Sequence, residues 1–199
     1  MARLIAVLVR AACVVSQAGL LKARWLYYNA RAFAWSRPAP WSTIIYGRLG
    51  FSHLPCHVVL GRHCSLGRDV FLSTAWDAQI TLGDDVSLNS ACLLVASEAI
   101  SIGRNTAIGE YVSIRDQAHN FAPGSGVRGQ GFKVAPIDIG ENVWIGRGVF
   151  IGPGTRIGAN SIVAANSVVH GVFPDGVLLA GAPAKVKRIL VQSLAAAAE

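Results

Sequence analysis

No acidic residue stands before Asp69 in this 199-residue chain, whereas Arg3, Arg10, Lys22, Arg24, Arg31, Arg37 and Arg48 all precede residue 51. The formal charge of +7 therefore belongs to the first fifty positions, and residues 51–199 balance at eleven Lys and Arg against eleven Asp and Glu. A basic chain often points to nucleic acid. Here the body is neutral and the excess rides on an apolar, aromatic-rich segment, so an anionic membrane surface is the better match and nucleic acid is not expected as a partner. Charge is scarce overall, 15% of residues against about 25% in average soluble domains. With 52% hydrophobic residues and a mean hydropathy of +0.43, intrinsic disorder is excluded. Cys13, Cys56, Cys64 and Cys92 form no CxxC pair, which leaves them as free thiols in a reducing compartment. Long apolar runs are also missing near the N-terminus. The longest uncharged stretch there, residues 11–21, is short of the roughly 18–20 residues of a spanning helix. Arg10 stops the run from Leu4 to Val9 before it reaches the usual length of a secretory h-region. The expectation is a cytoplasmic chain, peripheral at most on the inner face of the membrane.

Residues 2–34 contain no Pro and a single Gly, and Arg3, Arg10, Gln17, Arg24 and Arg31 recur every seven positions. Seven residues are nearly two helical turns, so these side chains form one polar stripe on a helix. The rest of the circumference, including Leu4, Ile5, Leu8, Val15, Leu21, Trp25 and Leu26, is an apolar face wider than an ordinary surface helix carries. Two covers are open. Trp25, Tyr27, Tyr28, Trp35 and Trp41 suit a headgroup region, which would set residues 1–35 on a membrane; alternatively the helix docks on its own body or on a neighbouring subunit. The run Ser36-Arg-Pro-Ala-Pro40 ends it. Residues 1–50 are thus read as a basic amphipathic segment.

Beyond residue 58 the apolar pattern fits neither a helix nor a simple strand, and a repeat of six replaces both. Aliphatic residues recur at Leu82, Leu88 and Leu94, at Ile102, Ile108 and Ile114, then at Ile139, Ile145, Ile151, Ile157, Val163 and Val169. Gly follows at 83, 103, 109, 140, 146, 152 and 158. One aliphatic followed by a small residue describes a short strand and a tight corner, three such units making one triangular turn of a coil. Glycine is expected there for backbone conformations that side chains resist. The phase slips by two residues between Leu94 and Ile102, and breaks for twenty-five between Ile114 and Ile139. The second break is a long loop thrown out from the coil, where function concentrates on rigid solenoids. It contains His119.

These residues resemble the hexapeptide-repeat acyltransferases, in the branch of maltose, galactoside and nodulation-factor O-acetyltransferases. The resemblance runs from about residue 55 to 190. Its marks are Val86-Ser-Leu-Asn-Ser-Ala-Cys92, Ile114-Arg-Asp-Gln-Ala-His119, Ala135-Pro-Ile-Asp-Ile-Gly-Glu-Asn-Val-Trp-Ile-Gly146 and Ala180-Gly-Ala-Pro-Ala-Lys-Val-Lys-Arg188. The stretch Gly131-Phe-Lys-Val-Ala-Pro136 looks most like enzymes that acetylate surface polysaccharides. The resemblance implies an all-β, left-handed parallel β-helix over residues 51–182, with a protruding loop at 115–138; the N-terminal amphipathic helix lies outside the match and is read from its own pattern, and a C-terminal helix and tail are expected at 183–199. It also implies a homotrimer with cofactor clefts between chains.

Moving an acyl group from a thioester to a hydroxyl needs a base of near-neutral pKa, and imidazole suits that task. His119 falls on the family's catalytic position. Asp116 is read either as a partner that orients the imidazole or the sugar, or as a loop carboxylate in water or paired with Arg115. Asn89 matches a position near the thioester, where its amide would steady the oxyanion or orient the acceptor; an inward Asn ladder is the alternative. Ser97 and Glu98 match the acceptor position, where galactoside enzymes carry an acid in place of Ser97. By resemblance Trp144 packs at the cofactor groove, Arg147 and Ala165 meet the pantetheine arm, His170 the adenine end, and Lys185 and Arg188 the phosphates. Basic residues that simply solvate a final helix are the alternative for that last group.

The reading is an acetyl-CoA-dependent O-acetyltransferase acting on a sugar hydroxyl of a surface polysaccharide or its lipid-linked precursor. No metal is required. The nearest alternative is an acetyltransferase of small soluble molecules. A β-helical zinc hydratase and a non-catalytic trimeric scaffold are the remote ones. The cluster His53, Cys56, His57, His63 and Cys64 has no zinc-finger spacing.

Overall fold

The computed structural model describes residues 2–31, 37–52, 54 and 56–190, with side chains described from residue 16 onward. From Ile44 the chain winds as a three-sided parallel coil, consistent with the left-handed β-helix that was expected. The first face stacks strands Ile44–Ile45, Ser65–Leu66, Ser87–Leu88, Ala107–Ile108, Trp144–Ile145, Ile162–Val163 and Val177–Gly181. The second stacks Leu49–Phe51, Val70–Thr74, Leu93–Ala96, Ser113–Arg115, Phe150–Ile151 and Val168–Val169. The third stacks Val58–Leu60, Gln79–Leu82, Ala99–Ile102, Ile137–Ile139, Arg156–Ile157 and Val172–Phe173.

In-register pairing turns the sixfold pattern into a core. Ile45, Leu66, Leu88, Ile108, Ile145, Val163 and Leu179 pair in sequence up the first face, and all are buried. Each such side chain contributes about 1.5–3 kcal/mol by leaving water. Every member of the sequence-derived ladder from Leu82 to Val169 is buried.

The corners work differently from the expectation. Hexad glycines such as Gly103 and Gly146 have ordinary φ; the left-handed residue comes two positions later, at Asn105 (φ 56°) after Gly103 and at Gly148 (φ 66°) after Gly146. Gly103 is required by close approach instead: a Cβ there would stand 2.5 Å from the Glu141 nitrogen of the next turn. Asn and Asp tolerate the left-handed conformation better than most residues. That is why Asp85, Asn105, Asn142 and Asn160 stack at one corner.

The N-terminal helix, α1 (Ala2–Arg31), is as long as its composition suggested. Its last turns cap the open first turn of the coil. Tyr28 is buried and its hydroxyl accepts the Leu49 N–H at 2.8 Å, Trp25 donates from Nε1 to the Pro40 carbonyl at 2.9 Å, and Asn29 accepts the Ala39 N–H at 2.7 Å. The Lys22 ammonium sits 4.1 Å from the centre of the Trp41 ring. The polar stripe faces the coil: Arg24 donates to the Tyr46 carbonyl, and Gln17 lines the same crevice. Leu20 and Leu26 stay exposed. The side chains of Arg3, Arg10 and their neighbours, and Trp35, lie outside the described residues. No helix among the described residues is long and apolar enough to cross a membrane.

Two boundaries are corrected. The coil begins at Ile44 rather than 51, because Ile44–Ile45 and Leu49–Phe51 already pair with the following turn. Residues 184–189 are not helical: Ala184–Ile189 folds back as an antiparallel strand on Val177–Gly181 and closes the edge of the first face. Lys185, Lys187 and Arg188 make it the kind of charged edge that resists further pairing. Residues 191–199 lie outside the described part.

Candidate active site

The candidate residues gather on two edges of the coil, one on each side of the second face. On the edge between the second and third faces, the long loop is an antiparallel hairpin in which Gln117–His119 pairs with Phe132–Val134. Its root is fixed by Asp116. The fully buried carboxylate accepts the backbone N–H groups of Ser97 (2.7 Å), Glu98 (2.7 Å) and Ala99 (2.9 Å), while the Asp116 carbonyl accepts the Ala135 N–H at 2.9 Å. Ser97 adds a second tie by donating its hydroxyl to Gln117 Oε1 at 2.7 Å. Asp116 is thereby committed to the bend beneath the hairpin; its hydrogen bonds go to that bend, and it forms no ion pair with Arg115.

His119 is exposed at the outer end of the hairpin strand, opposite Phe132, with ring centres 4.3 Å apart. The two rings border a cleft of about 520 Å³, closed on its other side by Val127, Arg128, Gly129 and Gly131. Glu98 is exposed at the braced bend.

Asn89, Arg147 and Ala165 lie on the opposite edge, between the first and second faces. Asn89 is exposed, so it belongs to no inward ladder. With Gly109, Glu110, Trp144, Gly146, Arg147, Ala165 and Leu178 it lines a second cleft of about 560 Å³. Gly146 packs its backbone against Ala165, where a Cβ would meet the Ala165 nitrogen at 2.7 Å. Arg147 pairs with Glu110 at 3.4 Å and lies 5.6 Å from the Tyr111 ring centre. Lys185 and Arg188 are on the returning edge strand, opposite Ala180 and Leu178 respectively, and both are exposed. Since Leu178 lines the cleft, Arg188 sits one strand beyond its end.

His170 is separated from this group. It is exposed on the hairpin's edge, two turns further along, with its ring across the Gly152 backbone and 5.7 Å from the centre of Phe150. Within one chain His119 and Asn89 therefore face different clefts. Residues the sequence did not single out, Phe132, Gln117 and Glu110, complete the two sites. The alternation of Phe132 and Val134 about Lys133 is the signal that could have pointed to a strand returning to His119.

Cys92 lies beneath the Asn89 corner and donates to the Gly109 carbonyl at 3.1 Å. Burial pushes its thiol up to about 11, and that of Cys64 equally. A thiol so held is a poor nucleophile. Among the described residues no three His, Cys, Asp or Glu side chains converge as a metal site.

Residues 136–171 match the bacterial transferase hexapeptide family, six repeats. A hexapeptide-repeat acetyltransferase of Vibrio cholerae O1 biovar eltor, solved with acetyl coenzyme A, is 26% identical over 75% of this chain and 72% of its own, with a TM-score of 0.52. The N-acyltransferase AntD of Bacillus cereus, solved with dTDP and 3-hydroxybutyryl-CoA, is 17% identical over 77% of this chain and 79% of its own, with a TM-score of 0.52; it shares the fold. None of the curated proteins matches. The architecture is that of the hexapeptide-repeat acetyltransferases among its structural neighbours.

Proposed function

We infer that this chain is an acyl-CoA-dependent O-acetyltransferase whose acceptor is a sugar hydroxyl of a surface polysaccharide or its lipid-linked precursor. The observation that carries the reading is His119: an exposed imidazole, backed by Phe132, at the mouth of a cleft on a hairpin braced to the coil. The likeness to an acetyltransferase solved with acetyl coenzyme A supports the choice of donor.

His119 accepts the proton of the acceptor hydroxyl as its oxygen attacks the thioester carbonyl, and returns that proton to the departing sulfur. The Asn89 amide donates to the carbonyl oxygen as negative charge builds there. Trp144, Arg147 and Ala165 line the groove for the pantetheine arm, with Lys185 and Arg188 toward the phosphates, and His170 of the chain that supplies His119 toward the adenine. The buried thiols argue for direct transfer rather than an acyl-enzyme. A homotrimer would bring the His119 cleft of one chain against the Asn89 cleft of the next, the arrangement that direct transfer needs.

The helix supports a peripheral membrane position. Arg24 of its polar stripe turns to the coil while Leu26 stays exposed, in a segment without acidic residues. Flotation with anionic liposomes tests this: the full chain should float and a chain lacking residues 1–21 should not.

The catalytic reading is tested by titrating acetyl-CoA into wild type and His119→Ala and following thiol release with glycan acceptors. Equal binding with turnover reduced about 10²–10⁴-fold is expected. Failure of the wild type to bind acetyl-CoA would overturn it.

A further inference from the structure

Trp76 is 73% exposed, and the strand register explains how it comes to be so. Thr74 pairs with Ala96 and Gln79 with Ala99, so residues 75–78 turn the corner that Ser97 and Glu98 alone turn in the next layer. The surplus forms a tight turn closed by the Ala78 N–H on the Ala75 carbonyl at 3.1 Å, with Trp76 and Asp77 at its tip. The indole is not part of the core and stacks on no other ring among the described residues. An indole held out in water on a tight turn offers a flat apolar face to whatever approaches this edge of the coil.

Its neighbours say what. The Ala75 N–H bonds the Ala96 carbonyl at 2.8 Å and the Gln79 N–H bonds the Glu98 carbonyl at 3.1 Å, so the Trp76 turn lies directly under the Ser97–Glu98 bend. That bend is in turn gripped by Asp116 at the root of the His119 hairpin. Layers of a parallel sheet are about 4.8 Å apart, which puts Trp76 about 10 Å along the same edge from the hairpin root. Between them stand the exposed Glu98 carboxylate and the Ser97 hydroxyl.

We propose that Trp76 is a stacking platform for a sugar ring of the acceptor, two or three units along the glycan from the hydroxyl that is acetylated. The proposal rests on the sugar-acceptor reading of the His119 site and specifies its substrate: an oligomeric or polymeric glycan rather than a free sugar. An indole face is apolar and electron-rich, suited to the C–H face of a pyranose, and leaves the sugar hydroxyls to water and to Glu98. A single sugar bound at His119 does not span the distance to Trp76.

The test uses the full chain and its Trp76→Ala and Trp76→Phe variants on an array of defined glycans, from monosaccharides to hexasaccharides. Acetyl-CoA titration and sedimentation are run on the same preparations. Wild type should retain oligosaccharides in preference to their monosaccharides, Trp76→Ala should lose that retention tenfold or more, and Trp76→Phe should keep most of it. All three should bind acetyl-CoA alike and sediment alike. Three results would overturn the platform: a wild type that holds no glycan, equal retention by Trp76→Ala, or a changed mass in Trp76→Ala, which would assign the indole to contact between copies. Absence of acetyl-CoA binding by the wild type is a separate failure, that of the acyltransferase reading.

Discussion

The carboxylate of Asp116 holds the backbone N–H of Glu98 at 2.7 Å across one layer of the coil, and takes those of Ser97 and Ala99 as well. One side chain thus ties the root of the His119 hairpin to the bend beneath it. Asp116→Ala would strand three N–H donors, and a loss of about 3 kcal/mol in urea unfolding is expected, since bonds to a buried charge are among the stronger ones. Unchanged stability would return Asp116 to a role at the imidazole.

The helix is expected to divide into a dispensable part and a cap. Removing residues 1–21 should leave the unfolding midpoint close to that of the full chain, because the hydrogen bonds and ring contact that carry the docking, from Lys22 through Asn29, all lie beyond it. Tyr28→Phe takes the hydroxyl from the buried Leu49 N–H and should cost about 1–3 kcal/mol. An equal loss from both changes would show that the helix stabilises through its first half instead.

Thiol chemistry gives an independent check of the core. Cys56, Cys64 and Cys92 are buried, and burial raises all three thiols, the latter two from 9.0 to about 11. Alkylation followed by mass spectrometry should leave these three unmodified in the folded chain and label all of them in denaturant. A raised pKa means the folded state holds the proton more tightly, so this contribution to stability is complete below the ordinary thiol range and drains away as pH rises toward 11. Labelling of Cys92 in the folded chain would mean that the Asn89 corner opens.

Acid acts on a different set of groups, the ion pairs at the corner between the third and first faces. The Arg62 guanidinium, 2.7 Å from Asp84, and that of Arg104, 2.6 Å from Glu141, hold both carboxyls below their ordinary values. A depressed carboxylate stabilises the fold above its ordinary range and stops doing so as pH falls through the lowered value. The double variant Arg62→Gln, Arg104→Gln should melt slightly below wild type near neutrality, and the two melting curves should converge in strong acid. Both pairs are exposed, so added salt should narrow the gap as well. A gap independent of pH would place the effect in packing.

Much of the coil was legible because a six-residue repeat is local: Ile139, Ile145 and Ile151 announce three faces without knowledge of their partners. The hairpin was legible as an interruption. What stayed hidden depends on neighbours far along the chain. The first turn was missed because Leu49 and Val58 break the spacing before the repeat settles. The Ala184–Ile189 strand was read as a helix because Lys185, Lys187 and Arg188 suit either state, and only the open edge left by Val177–Gly181 decides between them. The role of Asp116 was undecidable from its proximity to His119, since the groups it binds lie 17 to 19 positions earlier. Asn89 and His119 are read as one site shared between chains, and within one chain the winding places the second face between them.

The hairpin also bears on how such a chain can change over generations. Ile114 pairs with Leu94 and Ile151 just before it, and Ile137 pairs with Ile100 just after, so residues 116–136 are bracketed by rungs that ignore their length. Insertions or deletions at the tip need not re-register the ladder. A lineage can therefore rewrite this cassette while the inherited scaffold, and the stability stored in it, passes on unaltered.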